Sequence, residues 1–230
     1  VVVVGAAARY SVEPAALRAL AERARLPVFT VEQARGLLPD DHELCFGYAD
    51  PVLNGAATLI RRADAVLLVG KRLDWRIGYG RQGAIAADAR VVQIEAEPDE
   101  IGRNRPVDLA LLADLGATIE ALAALADGAG APSPTRAAWL AELRAARDAH
   151  LAHLRELADD PEAPLHPMTV ARAVEPFLPP DAFVVMDGGD FVQWPRSYLL
   201  ARQPGRWLRI GPLGHLGVGL PMALGCQVAD

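Results

Sequence analysis

The chain has 230 residues, 52% of them hydrophobic, and a formal net charge of −6 at pH 7. That is enough apolar material for a full core and more than one domain, and an acidic balance without a long basic run argues against a nucleic-acid footprint or an anionic-membrane surface, leaving small molecules or proteins as partners. Its two cysteines, Cys45 and Cys226, lie far apart in apolar surroundings, which speaks against a disulfide framework or thiolate metal cage and suits a reducing, cytoplasmic setting.

The run VVVVG (1–5) reads as a buried strand, with no charged segment ahead of it that would make a leader peptide. Leu17, Leu20 and Ala24 then recur at helical spacing within Glu13–Arg25, and LPVFT (26–30) returns to strand, completing a βαβ unit. A helix over Gly55–Arg62, strands over 63–70, 89–97 and 107–113, and a helix over Leu115–Ala126 continue the alternation. Strands apolar on both faces and separated by helices imply a parallel sheet covered on both sides, so residues 1–127 are expected to form a doubly wound α/β domain.

GAGAPSPT (128–135) reads as a hinge, with Thr135 as the N-cap of a long helix ending near Ala158 that carries Leu140, Leu143, Leu151, Leu154 and Leu157 along one side. Residues 128–164 are thus a linker with a helix. After DPEAPLHP (160–167), a helix over Met168–Phe177, a strand over 182–187 and the turn GGDF opening another helix begin a second α/β domain, 165–230. The apolar run Leu213–Ala229 is shorter than a bilayer span and is interrupted by glycines, Pro221 and His215, so it is read as a glycine-rich turn entering a core helix and not as a membrane segment. A chain that opens in a strand and stops in such a helix is expected to be part of a longer protein.

Nucleotide fingerprints are absent: the glycine that a P-loop around VGKR needs is Ala65, and Gly5 is followed by AAARY in place of G-x-G-x-x-G. His150 and His153 are spaced to share a metal with His166 nearby, but a charged helix face is the better account, so no metal site is expected. Asp40-Asp41 sits in a proline-containing turn and is read as structural. Two stretches invite more. VVMDGGDFVQW (184–194) is a strand releasing into glycines ahead of a helix, where backbone N–H groups approach phosphates. RIGPLGHLGVGLPMALG (209–225) is dense in glycine, which is kept where backbone must lie close to something flat or take positive φ. Two glycine turns about 25 residues apart suggest two walls of one pocket.

With LPVFT, LPDDHELCFG, ADAVLLVGKRLDW, VVQIEAEPDEIGRNRPVDLALLAD, DGGDF and GPLGHLGVGLP in this order, the chain resembles, over essentially its whole length, the thiamine-diphosphate-dependent enzymes of the acetolactate synthase group. That group also contains 2-hydroxyacyl-CoA lyases and oxalyl-CoA decarboxylases. The resemblance implies that Gly188, Gly189, Asp190 and Phe191 lie where the cofactor diphosphate is met. It also implies that the Gly214 carbonyl and Leu216 N–H hold the aminopyrimidine, and that the Leu216 side chain wedges the cofactor into its bent form, beside His215. Arg72, Asp74 and Arg76 match a stretch that can contact a nucleotide, FAD or ADP, in the central domain. Many relatives carry Gln-His at Asp190-Phe191; a carboxylate would repel diphosphate, so Asp190 is expected to cap the following helix. His215 replaces small residues or threonine, which bears on the substrate. The activating glutamate is expected in a preceding domain and the Mg²⁺ ligands beyond Asp230, so no catalytic residue is expected within these 230. The resemblance implies C–C bond formation or cleavage on 2-keto acids, most like acetolactate synthase, in a homodimer or homotetramer serving branched-chain amino acid biosynthesis. The alternatives are a lyase acting on an acyl-CoA substrate, and a non-catalytic nucleotide-binding or assembly module.

Overall fold

The valines at 1–4 and the run Ala65–Val69 carry no polar side chain, so they belong side by side in the middle of a sheet. The computed structural model describes residues 1–127, 133–159, 165–209, 211 and 213–229. Strands β1 (Val2–Val4), β2 (Val28–Thr30), β3 (Cys45–Tyr48), β4 (Ala65–Val69), β5 (Arg90–Glu95) and β6 (Leu109–Leu112) form one sheet in the order β3-β2-β1-β4-β5-β6. Every pairing is parallel, and Val3 lies between Phe29 of β2 and Leu68 of β4. The chain runs outward from β1 in both directions, so the strand order reverses between β1 and β4. Such a switch point leaves a crevice beyond the carboxyl ends of the strands.

Helix α1 (Pro14–Ala24) starts on a proline, whose missing N–H is no loss in a first turn, and buries Leu17, Leu20 and Ala21. It packs beside α2 (Leu115–Leu125), whose start is capped by the Asp114 carboxylate accepting the Ala117 N–H at 2.8 Å. The helix expected over Gly55–Arg62 is a 3₁₀ helix. There the Thr58 hydroxyl donates to the Gly55 carbonyl at 2.6 Å, bonding an acceptor of the first turn from a side chain.

Two strands had no legible signal. β3 contains Gly47 at φ +76° and pairs with β2 through an irregular register; β8 (Trp207–Arg209) is only three residues long. β6 departs from expectation differently: Leu109 and Leu112, which alternation puts on opposite faces, are both exposed, because it is the sheet's edge and neither side is fully covered.

Helix α3 (Pro134–Asp159) buries Leu140, Leu143 and Leu154 against the Gly55–Arg62 segment and α4 (Pro167–Val174). Its start is capped by the Ser133 hydroxyl, which accepts the Arg136 N–H at 3.2 Å; Thr135, the expected cap, lies inside the helix. Most of the expected hinge, 128–132, and most of the second proline-marked stretch, 160–164, lie outside the described residues. A second, two-stranded parallel sheet pairs β7 (Val184–Met186) with β8, Val184 opposite Trp207. Helix α5 (Gln193–Tyr198) lies between these strands and α6 (Gly219–Ala229) follows them. Among the described residues no helix is long and apolar enough to cross a membrane.

Candidate functional site

β7 ends in buried Met186 and releases into Asp187-Gly188-Gly189-Asp190-Phe191. Gly188 is half-buried, while Gly189, Asp190 and Phe191 are exposed. The Asp190 backbone carbonyl accepts the Gln193 N–H at 3.0 Å, but α5 begins with no side-chain cap. The expected capping by the Asp190 carboxylate is therefore corrected: the turn closes through the main chain, two residues before the cap position at Val192.

Across from this turn lies the loop 211–219. The Gly214 N–H donates to the Gly211 carbonyl at 3.1 Å, and Gly214 and Gly217 take φ of +67° and +91°, a region costly for any residue with a Cβ. A Cβ at Gly214 or Gly217 would meet no atom of the described residues within 4 Å, so one side of this backbone is open. Gly214, His215 and Leu216 are exposed. What joins the turns is Asp187, whose carboxylate accepts the N–H of Gly217 at 2.9 and 3.0 Å and that of Gly219 at 3.0 Å. A carboxylate at the start of α6 is where the helix dipole favours negative charge. Asp187 was not singled out by sequence reasoning; an aspartate between a strand and a glycine pair was the available signal.

A second site lies at the switch point of the large sheet. A cavity of about 650 Å³ opens beyond β1, β4 and β5, and Arg72, Asp74, Arg76, Trp75, Tyr79 and Glu95 are among its walls. Close approach of the two central strands makes it: a Cβ on Gly5 would sit 2.1 Å from the Gly70 carbonyl oxygen. All three residues expected to contact a nucleotide reach this cavity, with different freedom. Arg72 is exposed and reaches Glu100 at 3.3 Å. Asp74 accepts the Arg76 N–H at 3.0 Å and the buried Lys71 ammonium at 2.8 Å; burial pushes the Lys71 pKa down, against the pull of that carboxylate. Arg76 lies over the Trp75 ring and donates from Nε to Glu32 at 2.5 Å. Glu95, buried at the end of β5, has its pKa raised by burial first.

Glu32 is the residue sequence reading missed most completely. It follows β2 with φ +54° and accepts from Arg76 at 2.5 Å, Arg209 at 2.8 Å and Arg196 at 3.1 Å, while the Tyr48 hydroxyl donates to it at 3.2 Å. Burial pushes its pKa up, and the three guanidiniums outweigh that and hold it below the usual range. Beside it, Arg35 lies between the Tyr48 and Trp207 rings, pairs with the Asp40 carboxylate and donates to the Leu199 carbonyl at 3.1 Å. Asp40 also accepts the Ala201 N–H at 2.6 Å. It is structural, as expected, but as a buried clasp between the two sheets' elements and not as a turn cap.

The histidines do not gather. His150 Nε2 meets the Leu53 carbonyl at 3.0 Å, His153 is exposed, and His166 Nδ1 accepts the Met168 N–H at 3.1 Å. No group of three potential metal ligands occurs among the described residues.

Residues 1–122 match the family model described as thiamine pyrophosphate enzyme, central domain. The chain is 35% identical over 219 residues to a probable acetolactate synthase of Mycobacterium bovis, covering 94% of this chain and 37% of that protein. It is 35% identical over 217 residues to the acetolactate synthase large subunit of Parasynechococcus marenigrum, covering 93% and 33%. To 2-hydroxyacyl-CoA lyase 1 of Mus musculus it is 30% identical over 222 residues, covering 96% and 37%. The chain thus spans 33–37% of the length of these relatives.

Proposed function

The chain belongs to the thiamine pyrophosphate enzymes, and from that premise we propose that it is the central domain, the linker helix and the first part of the diphosphate-binding domain of an enzyme that decarboxylates 2-keto acids and joins the product to a second carbonyl compound, most like acetolactate synthase. One observation carries the reading: Asp187 ties the turn after β7 to the glycine loop while leaving the loop's backbone open beside Gly214 and Gly217. When bound there, thiamine diphosphate supplies the acidic carbon that adds to the substrate carbonyl and accepts electrons as the carboxylate leaves.

The residues of this chain would act by holding. Gly188 and Gly189, with Asp190 and Phe191, would border the diphosphate; Mg²⁺ would be held by residues beyond Asp230. The Gly214 carbonyl and Leu216 N–H would grip the flat ring, and the exposed Leu216 side chain would press the bent conformation that positions the reacting atoms. His215, exposed at the same loop, would face the substrate side. In the switch-point cavity, Trp75 and Tyr79 offer ring faces and Glu95 a carboxylate acceptor, suited to the rings and hydroxyls of FAD or ADP, with Arg72, Asp74 and Arg76 at its wall. We take the full protein to be a cytoplasmic homodimer or homotetramer acting in branched-chain amino acid biosynthesis. The test is turnover: the full-length protein, given Mg²⁺ and thiamine diphosphate, should convert pyruvate to carbon dioxide and 2-acetolactate, and inertness toward pyruvate and every other 2-keto acid sinks the reading.

A second reading is favoured by similarity to the mouse lyase across 96% of the chain: cleavage of a 2-hydroxyacyl-CoA, or decarboxylation of oxalyl-CoA. Release of formyl-CoA from such a substrate, without acetolactate formation, would decide for it.

A further inference from the structure

We propose that Glu32 is a positioning residue that couples the switch-point cavity to the glycine loop, so that an adenine nucleotide bound in the cavity tightens binding of thiamine diphosphate at the loop. This rests on the preceding reading of the two sites and adds a regulatory link between them. Geometry supplies the link. The Glu32 carboxylate holds Arg76, a wall of the cavity; Arg196, on the helix that follows the Gly188–Phe191 turn; and Arg209, two residues ahead of Gly211. Glu32, Arg76, Arg209 and Gly211 all line the cavity, so the beginning of the glycine loop is itself part of its wall.

The cluster is set apart from ordinary surface ion pairing. The Arg76, Arg196, Arg209 and Glu32 side chains are all nearly closed to solvent, and the Nε atoms of Arg196 and Arg209 are buried without a partner. Glu32 reaches all three arginines from a positive φ, a conformation of a residue with a Cβ that persists only when its surroundings over-determine it. The loop beyond Arg209, by contrast, is held within the described residues chiefly by Asp187 at its far end. A ligand that packs on Arg76, Arg209 and Gly211 therefore acts on the same carboxylate cluster that holds the near end of the loop, and favours the arrangement in which that end is already set for the second ligand.

The experiment is calorimetric titration of the full-length protein with thiamine diphosphate and Mg²⁺, with and without saturating ADP, the portion common to FAD and ADP. In the wild type ADP should tighten thiamine diphosphate by about fivefold or more. In Glu32→Gln each ligand should still bind alone, with the ADP effect reduced to about onefold. Should that variant fail to fold, Arg209→Gln leaves Glu32 paired with Arg76 and Arg196; because Arg209 also lines the cavity, ADP should bind this variant more weakly, so the coupling is read at an ADP concentration that saturates it, and the same loss is expected. If both ligands bind the wild type independently, or either variant keeps the coupling, the proposal falls and the functional reading stands. Failure of ADP to bind overturns the coupling together with the nucleotide site; failure of thiamine diphosphate to bind overturns the functional reading itself.

Discussion

The two ends of the chain solve the placing of a glycine turn in opposite ways. At the switch point, Gly5 and Gly70 are pinned between strands whose residues Val4, Phe29, Leu68 and Ile94 are fully buried. At the loop 211–219, Gly211, Gly214 and Gly217 stand open while Gly219 closes on the Asp187 side chain, and α6 behind them buries no residue among those described. Packing dictates the first backbone; a single carboxylate does most of the work at the second. The lesson is that substitutions at the first should register as stability and those at the second as binding.

Truncation of the core is the hardest test of that contrast. Phe29→Ala removes a closed-off ring beside Phe46 and should lower the unfolding free energy by about 3–5 kcal/mol, whereas Leu224→Ala on the exposed face of α6 should stay within about 0.5 kcal/mol in this chain. Urea denaturation of the two variants decides: equal losses would erase the distinction. Next comes the clasp between the halves. Asp40→Ala leaves the Arg35 guanidinium buried between two rings without its carboxylate, an uncompensated charge worth about 3–5 kcal/mol. If only the 230-residue chain's second sheet loosens, near-ultraviolet signal from Trp207 should fall before the far-ultraviolet signal of the large sheet does.

How much of this was legible follows the same divide. The parallel sheet could be read because valine runs and helical spacing are period signals, and the glycine turns because glycine density is visible one residue at a time. β3 and β8 could not, because Gly47 interrupts the first and Arg209 ends the second, so neither shows the β-branched apolar run that marks the equally short β1. Glu32 was invisible for a different reason: its arginines lie 44, 164 and 177 positions away, and no local pattern reports a contact made by folding. Asp190 shows the converse error, where a sound local rule about helix starts was overridden because α5 begins at Gln193, too far along for that carboxylate to cap it.

A smaller effect probes the open side directly. Asp187→Ala removes an acceptor serving two loop N–H groups, a loss comparable to a helix N-cap and so about 1 kcal/mol in stability. Because those bonds position Gly217 and Gly219, thiamine diphosphate affinity of the full-length protein should weaken several-fold while ADP affinity holds. Parallel loss of both would mean that Asp187 supports the whole fold and not the loop.

The smallest expected effect lies on the linker helix, where burial lowers the pKa of His150 and its ring meets the Leu53 carbonyl. A folded-state pKa below the unfolded value of about 6.5 means the unfolded chain binds the proton more readily. The stability this site contributes is therefore complete above that value and is lost as pH falls through the lowered one. His150→Gln, which can still donate to Leu53 but does not titrate, should make stability below about pH 6.5 less dependent on pH than in the wild type. His153, exposed and three residues along, is a smaller cause of the same lowering, so the same substitution there should flatten the profile less. If the two variants behave alike, the helix's contact with Leu53 carries no electrostatic consequence, and α3 holds the first sheet through its leucines alone.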